Sequence, residues 1–385
     1  MHRLPHRARK ALVHRLVESL RLRGRGEVLR GHHNINYVRR SGPVLALLLG
    51  AVPFTRFKYR VPLRTVEVVP RIWPREAEVL GVVCRYLREV PPCLADLEDG
   101  SVHGYRMGRA LSDSAPAGAV GDELMRSFAS FFVRTARVPV AELPARPEGW
   151  PEDGDTQGFL AWLVRFTQER VHAPNRDRFG ALFDAVGIPE DAMARFAARH
   201  GCRTSRPFRL LHTDVHRANV VVRGKRLVVI DWELAMLGDP LHDLATHLVR
   251  MAYGKEEQGR MTELWTEAMR AAGFTALTAG LHDDLPAYIA FEYAQSVFPD
   301  VMRAAIDLPE DADTEHFQTA ADRVERAIRR AREPLRLVDV PGREQVVEAL
   351  RDWHSMPGQG TTTLFPPAPA PGTSKPVSAR HGDGA

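Results

Sequence analysis

The sequence predicts an α+β chain of two lobes, an N-terminal antiparallel sheet with one helix followed by a mainly helical C-terminal lobe. Three observations carry that expectation. Short strand-like segments crowd residues 27–70 and return at 93–107. Helical periodicity dominates after residue 120. Short apolar strands interrupt the helical part at 209–232.

The elements follow in order. Residues 6–22 place Leu12, Val13, Leu16, Val17 and Leu20 on one helical stripe with arginines around it. The stripe is narrow and lacks aromatics, which reads as a leading helix packed on the first lobe rather than a membrane-surface helix. Strand character then covers Glu27 to Gly31, Ile35 to Arg39, Val44 to Leu49 and Phe57 to Val61, separated by Gly, Asn and Pro signals. Pro74 opens a helix that runs to Glu89. Cys93 to Leu97 and Val102 to Met107 form a strand pair around Glu98-Asp99-Gly100. Helices are predicted at about 120–136, 157–172, 178–186, 190–200, 240–253, 259–272, 284–306 and 313–332. The domain reading is a basic leading helix at 1–26, a first lobe at 27–108 and a helical lobe at 109–340. Residues 356–385, rich in Pro, Gly, Ser and Thr, read as a disordered tail.

Composition excludes more than it assigns. The 385 residues are 44% hydrophobic and 26% charged, an ordinary globular balance. The net charge of +5 comes almost wholly from arginine, since only Lys10, Lys58, Lys225, Lys255 and Lys375 are lysines. The excess is not concentrated in one block and a polyphosphate-binding surface would also be basic, so the charge does not discriminate; no nucleic-acid partner is expected. Cys84, Cys93 and Cys202 fit neither a zinc pattern nor a disulfide framework, and a reducing cytoplasm is the simple reading. The basic N-terminus lacks the apolar stretch of a secretory signal. The longest apolar run, Pro43 to Phe54, is too short to span a bilayer. The oligomeric state is not readable.

One stretch carries chemistry. His212, Asp214 and Asn219 sit in a loop beside an apolar hairpin whose turn is Arg223-Gly224-Lys225, and Asp231 returns to the Asn219 end of that hairpin. A free carboxylate, an amide oxygen and a second carboxylate are thereby brought together. Phosphoryl transfer needs such a set: one carboxylate to take the proton of an attacking hydroxyl, and hard oxygen ligands to hold Mg²⁺ against nucleotide phosphates. Asp214 suits the base, and Asn219 and Asp231 suit the metal. A zinc reading of His212, Asp214 and His216 lacks an upstream His-x-His element and sits poorly among so many oxygen donors.

The pattern His-x-Asp-x-x-x-x-Asn, a hairpin, Ile230-Asp231-Trp232-Glu233 and then Gly238-Asp239-Pro240-Leu241-His242-Asp243-Leu244-Ala245 resembles the aminoglycoside phosphotransferase and choline kinase-like family of small-molecule kinases, which share the protein-kinase-like fold. The resemblance implies ATP bound between two lobes with Mg²⁺, and γ-phosphoryl transfer to a hydroxyl of a small molecule, aminoglycoside-like or another amino or sugar alcohol. It also implies that His212 braces the catalytic loop. Asp239 reads as a helix cap, with Pro240 in the first turn. Asp243 either braces the loop or only favours the helix dipole. His216 reads as a packing or surface residue.

On the nucleotide side, Gly31-His32-His33-Asn34-Ile35-Asn36-Tyr37 lies where the family places its phosphate loop, with Asn34 and Asn36 in place of glycines. Lys58 and Arg60, two apart on one strand, are alternative phosphate cations, and Glu76 is the matching helix carboxylate. Tyr105 to Met107 occupy the hinge position for adenine. For a cationic acceptor, Asp283, Asp284, Glu292, Asp300 and Asp307 are candidate carboxylates and Phe291, Tyr293 and Phe298 candidate stacking rings, with Glu292 best placed. The alternative is a catalytically degenerate kinase fold that binds nucleotide or a partner.

Overall fold

The computed structural model describes residues 5–357, apart from 25, 31–33, 64–67, 106–107, 116–117 and 224–225. Glycines 224 and lysine 225 of the expected hairpin turn, and all but the first two residues of the expected tail, lie outside the described residues.

The N-terminal lobe is a five-stranded antiparallel sheet of spatial order β1-β2-β3-β5-β4. Its strands are β1 (Val28–Arg30), β2 (Asn34–Arg40), β3 (Arg56–Pro62), β4 (Cys93–Asp96) and β5 (Ser101–Gly104). The leading helix α1 (His6–Leu22) buries Val13 and Val17 against this sheet, as its stripe predicted. Alternation along β3 sends Phe57 and Tyr59 into that small core and Lys58 and Arg60 to the opposite face.

The segment expected as a strand at Val44 to Leu49 is instead helix α2 (Pro43–Leu49). Pro43 fills the first turn, Gly50 stops the helix at φ 65°, and Leu45, Ala46 and Leu49 are buried while Val44 and Leu47 are exposed. A seven-residue apolar run has no polar residue to reveal its period, so the burial stripe appears only once the chain is folded. Helix α3 (Glu76–Tyr86) starts two residues later than Pro74 and ends before Glu89. Glu76 and Glu78 in its first turn face the helix's positive end.

The second lobe is helical around a large core. The short β6 (Arg109–Ala110) and α4 (Leu111–Ser114) lead to α5 (Asp122–Ala136), α6 (Thr156–Phe166), α7 (Ala173–Ala185) and α8 (Ala192–Ala197). Next come β7 (Arg209–Leu211), β8 (Val220–Arg223), β9 (Arg226–Val229) and β10 (Met236–Gly238). Strands β8 and β9 form the expected antiparallel hairpin, with β6 on its edge, and β7 pairs with β10. Close packing explains Gly238: a Cβ there would lie 2.4 Å from the Phe159 ring. Helices α9 (Pro240–Arg250), α10 (Lys255–Ala271), α11 (Leu281–Ile306) and α12 (Thr314–Leu335) follow. The folded chain continues beyond residue 340 into α13 (Arg343–Ser355), which buries Val346, Leu350 and Trp353 against α7 and α12. Among the described residues no helix is long and apolar enough to cross a membrane.

Candidate active site

The loop after β7 is held in a strained shape by named partners. Thr213 adopts φ 58° and Asp231 φ 70°, both in the left-handed region that β-branched and ordinary residues avoid. Asp243 holds the first of these: its carboxylate accepts from His212 N at 3.1 Å and Thr213 N at 2.7 Å. The Thr213 hydroxyl donates to Leu234 O at 2.7 Å. Of the two readings left open for Asp243, the brace is the one realised. Burial pushes its carboxyl up to about 6, despite the two backbone donors. His212 bridges the loop, with Nδ1 accepting from Asp214 N at 3.3 Å and Nε2 facing Ile230 O at 3.2 Å. Burial pushes it down to about 4, so it is neutral near pH 7 and those roles fit one tautomer.

Asp214, Asn219 and Asp231 line one cleft of about 560 Å³, which Asn34, Asn36 and Glu233 also line. Asn219 Nδ2 donates to Asp214 Oδ2 at 2.7 Å and to Asp214 O at 3.1 Å, which leaves its Oδ1 as the donor atom available to a cation. Burial raises Asp214, but the guanidinium of Arg250 and the His216 ring more than offset it and hold the carboxyl below the usual range.

The two cations of β3 differ in their partners. Arg60, not Lys58, pairs with Glu76, at 2.9 Å. The same guanidinium reaches Asp231 at 2.6 Å and Glu233 at 2.9 Å. Lys58 makes no ion pair within 4 Å among the described residues, and burial followed by the charge of Arg60 lowers its ammonium. Glu76 also accepts from Trp232 N at 2.8 Å, tying α3 to the segment carrying Asp231. Burial opposes ionisation of both Glu76 and Asp231, yet Arg60 keeps both below the usual range. Asn34 donates to Glu233 at 3.1 Å, and Asn36 Oδ1 is buried without a hydrogen-bond partner. The phosphate-loop residues 31–33 and Met107 lie outside the described residues. Tyr105 follows β5 with Arg56 over its ring at 4.2 Å, and is not among the residues lining the Asp214 cleft.

Several acceptor candidates are relocated. Phe291 and Phe298 are core residues. Asp284 is sealed against Arg206 at 2.7 Å, where Asp239 also pairs at 2.6 Å. Asp239 caps α9 as expected, accepting from Leu241 N, and is a buried ion-pair partner as well. Asp283 and Asp307 are exposed. Glu292, Tyr293 and Asp300 do line the cleft. His216 is not a packing residue: its Nε2 stands 3.4 Å from Asp214 and 3.3 Å from Asn219. Arg250 was not foreseen. It lies seven residues after Asp243, two helical turns on the same face of α9, and that spacing was the available signal.

A family model described as "Phosphotransferase enzyme family" matches residues 60–283, more than half of the chain. The chain belongs to this family and is therefore an enzyme, a phosphotransferase with an alcohol group as acceptor. Among solved structures, a putative aminoglycoside phosphotransferase from Ralstonia eutropha is similar at 16% identity and a TM-score of 0.52, covering 89% of this chain and 98% of that one. An ethanolamine kinase from Plasmodium vivax is similar at 12% identity and a TM-score of 0.49, covering 78% and 81%. The first likeness supports the two-lobed kinase-like fold. No curated protein matches the chain in a sequence comparison.

Proposed function

We propose that this chain is an ATP- and Mg²⁺-dependent kinase that moves the γ-phosphoryl group to a hydroxyl of a small molecule, with Asp214 as base. One observation carries the reading: Asp214, Asn219 and Asp231 open on a single cleft beside the Arg60–Glu76 pair. The donor set fits the metal, since the Asn219 amide oxygen and the Asp231 carboxylate are hard oxygen ligands. When bound, Mg²⁺ would neutralise phosphate charge. Asp214, kept ionised by Arg250 and His216, orients the acceptor hydroxyl and takes its proton. Arg60 meets the phosphates, while Glu76 fixes its direction. Asn34 and Asn36 supply amide donors where the family's phosphate loop would close. His212 and Asp243 hold the loop so that the base need not be positioned afresh at each turnover. The absence of a disulfide at Cys84, Cys93 and Cys202 suits a reducing cytoplasm.

Asp214→Asn is expected to bind Mg²⁺–ATP as wild type does while kcat falls by roughly 10²–10⁴-fold. Isothermal titration with nucleotide beside a coupled ATP-consumption assay reads both quantities. A fully active variant removes Asp214 from the base role. The competing reading, nucleotide binding without turnover, is favoured by one fact, that Arg250 already occupies the Asp214 carboxylate. Acceptor-dependent ATP consumption across a panel of alcohols separates the two.

A further inference from the structure

The part of the cleft that α11 and α12 supply carries arginine that the steps above do not use. Arg303 from α11 and Arg330 from α12 line the same cleft as Asp214, Glu292 and Asp300. Arg250 lines it too, but is engaged with Asp214 and lies 3.6 Å from Glu292. Arg303 and Arg330 make no hydrogen bond and no ion pair within 4 Å among the described residues. Arg303 is only half-exposed, and burial pulls its guanidinium downward. A cation desolvated in this way gains from an anionic partner.

The carboxylates of this wall do not offer a site for a cation. Glu292 is buried, accepting from Thr246 Oγ1 at 3.0 Å and Gln295 Nε2 at 3.1 Å. Burial raises it, and Arg250 only partly offsets the effect. Asp300 has Arg303, Arg323, Arg330 and Arg250 within electrostatic reach, and burial still raises it. Asp284, the remaining acidic residue of α11 that is buried, is spent on Arg206. A polycationic acceptor would meet carboxylates that are already partnered or reluctant to ionise, and two arginines that make no hydrogen bond or close ion pair among the described residues, although Asp300 lies within electrostatic reach.

We infer, on the footing of the kinase reading, that the acceptor alcohol carries an anionic group, a carboxylate or a phosphate ester, which Arg303 and Arg330 hold on the α11–α12 wall while the hydroxyl meets Asp214. Arginine suits the task, because its planar fork binds either oxyanion in two-point fashion.

The test uses the full chain loaded with Mg²⁺ and a non-hydrolysable ATP analogue. Calorimetric titrations compare short hydroxy acids with their neutral amides, phosphomonoesters of diols with the free diols, and amino alcohols with an aminoglycoside. Saturable binding confined to the anionic members is expected, and the carboxylate and phosphate arms tell which oxyanion fits. Arg303→Gln and Arg330→Gln should each weaken that binding about tenfold or more and leave nucleotide affinity as it was. Arg330 is exposed on α12, so its variant is a test that does not hinge on refolding of the core. Binding of neutral or cationic alcohols in preference, no saturable binding by any anionic member, or unchanged affinity in both variants overturns the inference. Failure of the kinase reading shows elsewhere, as absent Mg²⁺–nucleotide binding in the first titration or no phosphoryl transfer to an alcohol that binds.

Discussion

Two buried arginines organise this molecule, and they are built differently. Arg206 is sealed. Its donors reach Asp239, Asp284 and Ala279 O, Tyr288 donates to Asp239, and Asp284 also accepts from Arg203 N and Thr204 N. Neither carboxylate side chain has measurable exposure. Arg60 is oversubscribed. It serves Glu76, Asp231 and Glu233 from two further parts of the chain, and the Asp231 side chain is 32% exposed to the cleft. A closed network with every donor matched locks α9, α11 and the chain before β7 into one body. A network open on one side, where Arg71 also reaches Glu233 at 3.3 Å, leaves carboxylate oxygen exposed to a cation. Burial and pairing by themselves therefore do not separate architecture from chemistry, since both networks hold one carboxylate in excess of guanidinium; the open face does.

Exchanging one carboxylate for an amide in each network should break the symmetry between them. Asp239→Asn leaves Arg206 short of an anion inside the core and weakens the cap of α9. About 3–5 kcal/mol of stability should go, read by urea unfolding. Next in size is Asp243→Ala, which frees two buried N–H groups and the strain stored at Thr213. A loss of about 2–3 kcal/mol is expected, with kcat lowered more than nucleotide affinity.

Acid sharpens the comparison by attacking neither arginine first. Burial pushes His103, His172, His212 and His247 down to about 4 and His242 to about 3. Their folded values lie below the unfolded value near 6.5, so the folded state disfavours protonation. Their contribution is complete above pH 6.5 and is lost as pH falls toward 4, about 1.4 kcal/mol each by pH 5.5. Asp243 runs the other way, because its raised value favours the folded state as pH falls through 6, and Glu233, Glu292 and Asp300, also raised by burial, act in the same direction. The urea midpoint should therefore be lower at pH 5.5 than at pH 7.5, before the carboxylates held low by arginine titrate. The smallest stability effect belongs to Asp231→Asn, within about 1 kcal/mol of wild type. Arg60 keeps Glu76 and Glu233, and Asn tolerates φ 70°. The same variant should weaken Mg²⁺–nucleotide binding by about 100-fold in calorimetry. A large stability loss there would make the Arg60 cluster architectural, like its counterpart.

The sequence by itself determined the two-lobed order of elements, the β8–β9 hairpin, the cap at Asp239 and the grouping of Asp214, Asn219 and Asp231. These are local matters, set by alternation, by helix starts and by spacings of a few residues to a few tens of residues, and α1 and α9 show the pattern well. Tertiary structure decided what depends on partners far along the chain. Whether Pro43–Leu49 coils or extends was settled by what its stripe packs on. The pairing of Glu76 with Arg60 rather than Lys58 was settled by where Glu76 and Glu233 arrive, and the engagement of Asp214 by Arg250 by where α9 ends. An ion pair needs two groups within about 4 Å, and separations of 16 to 173 residues along a chain carry no such distance until the core has closed.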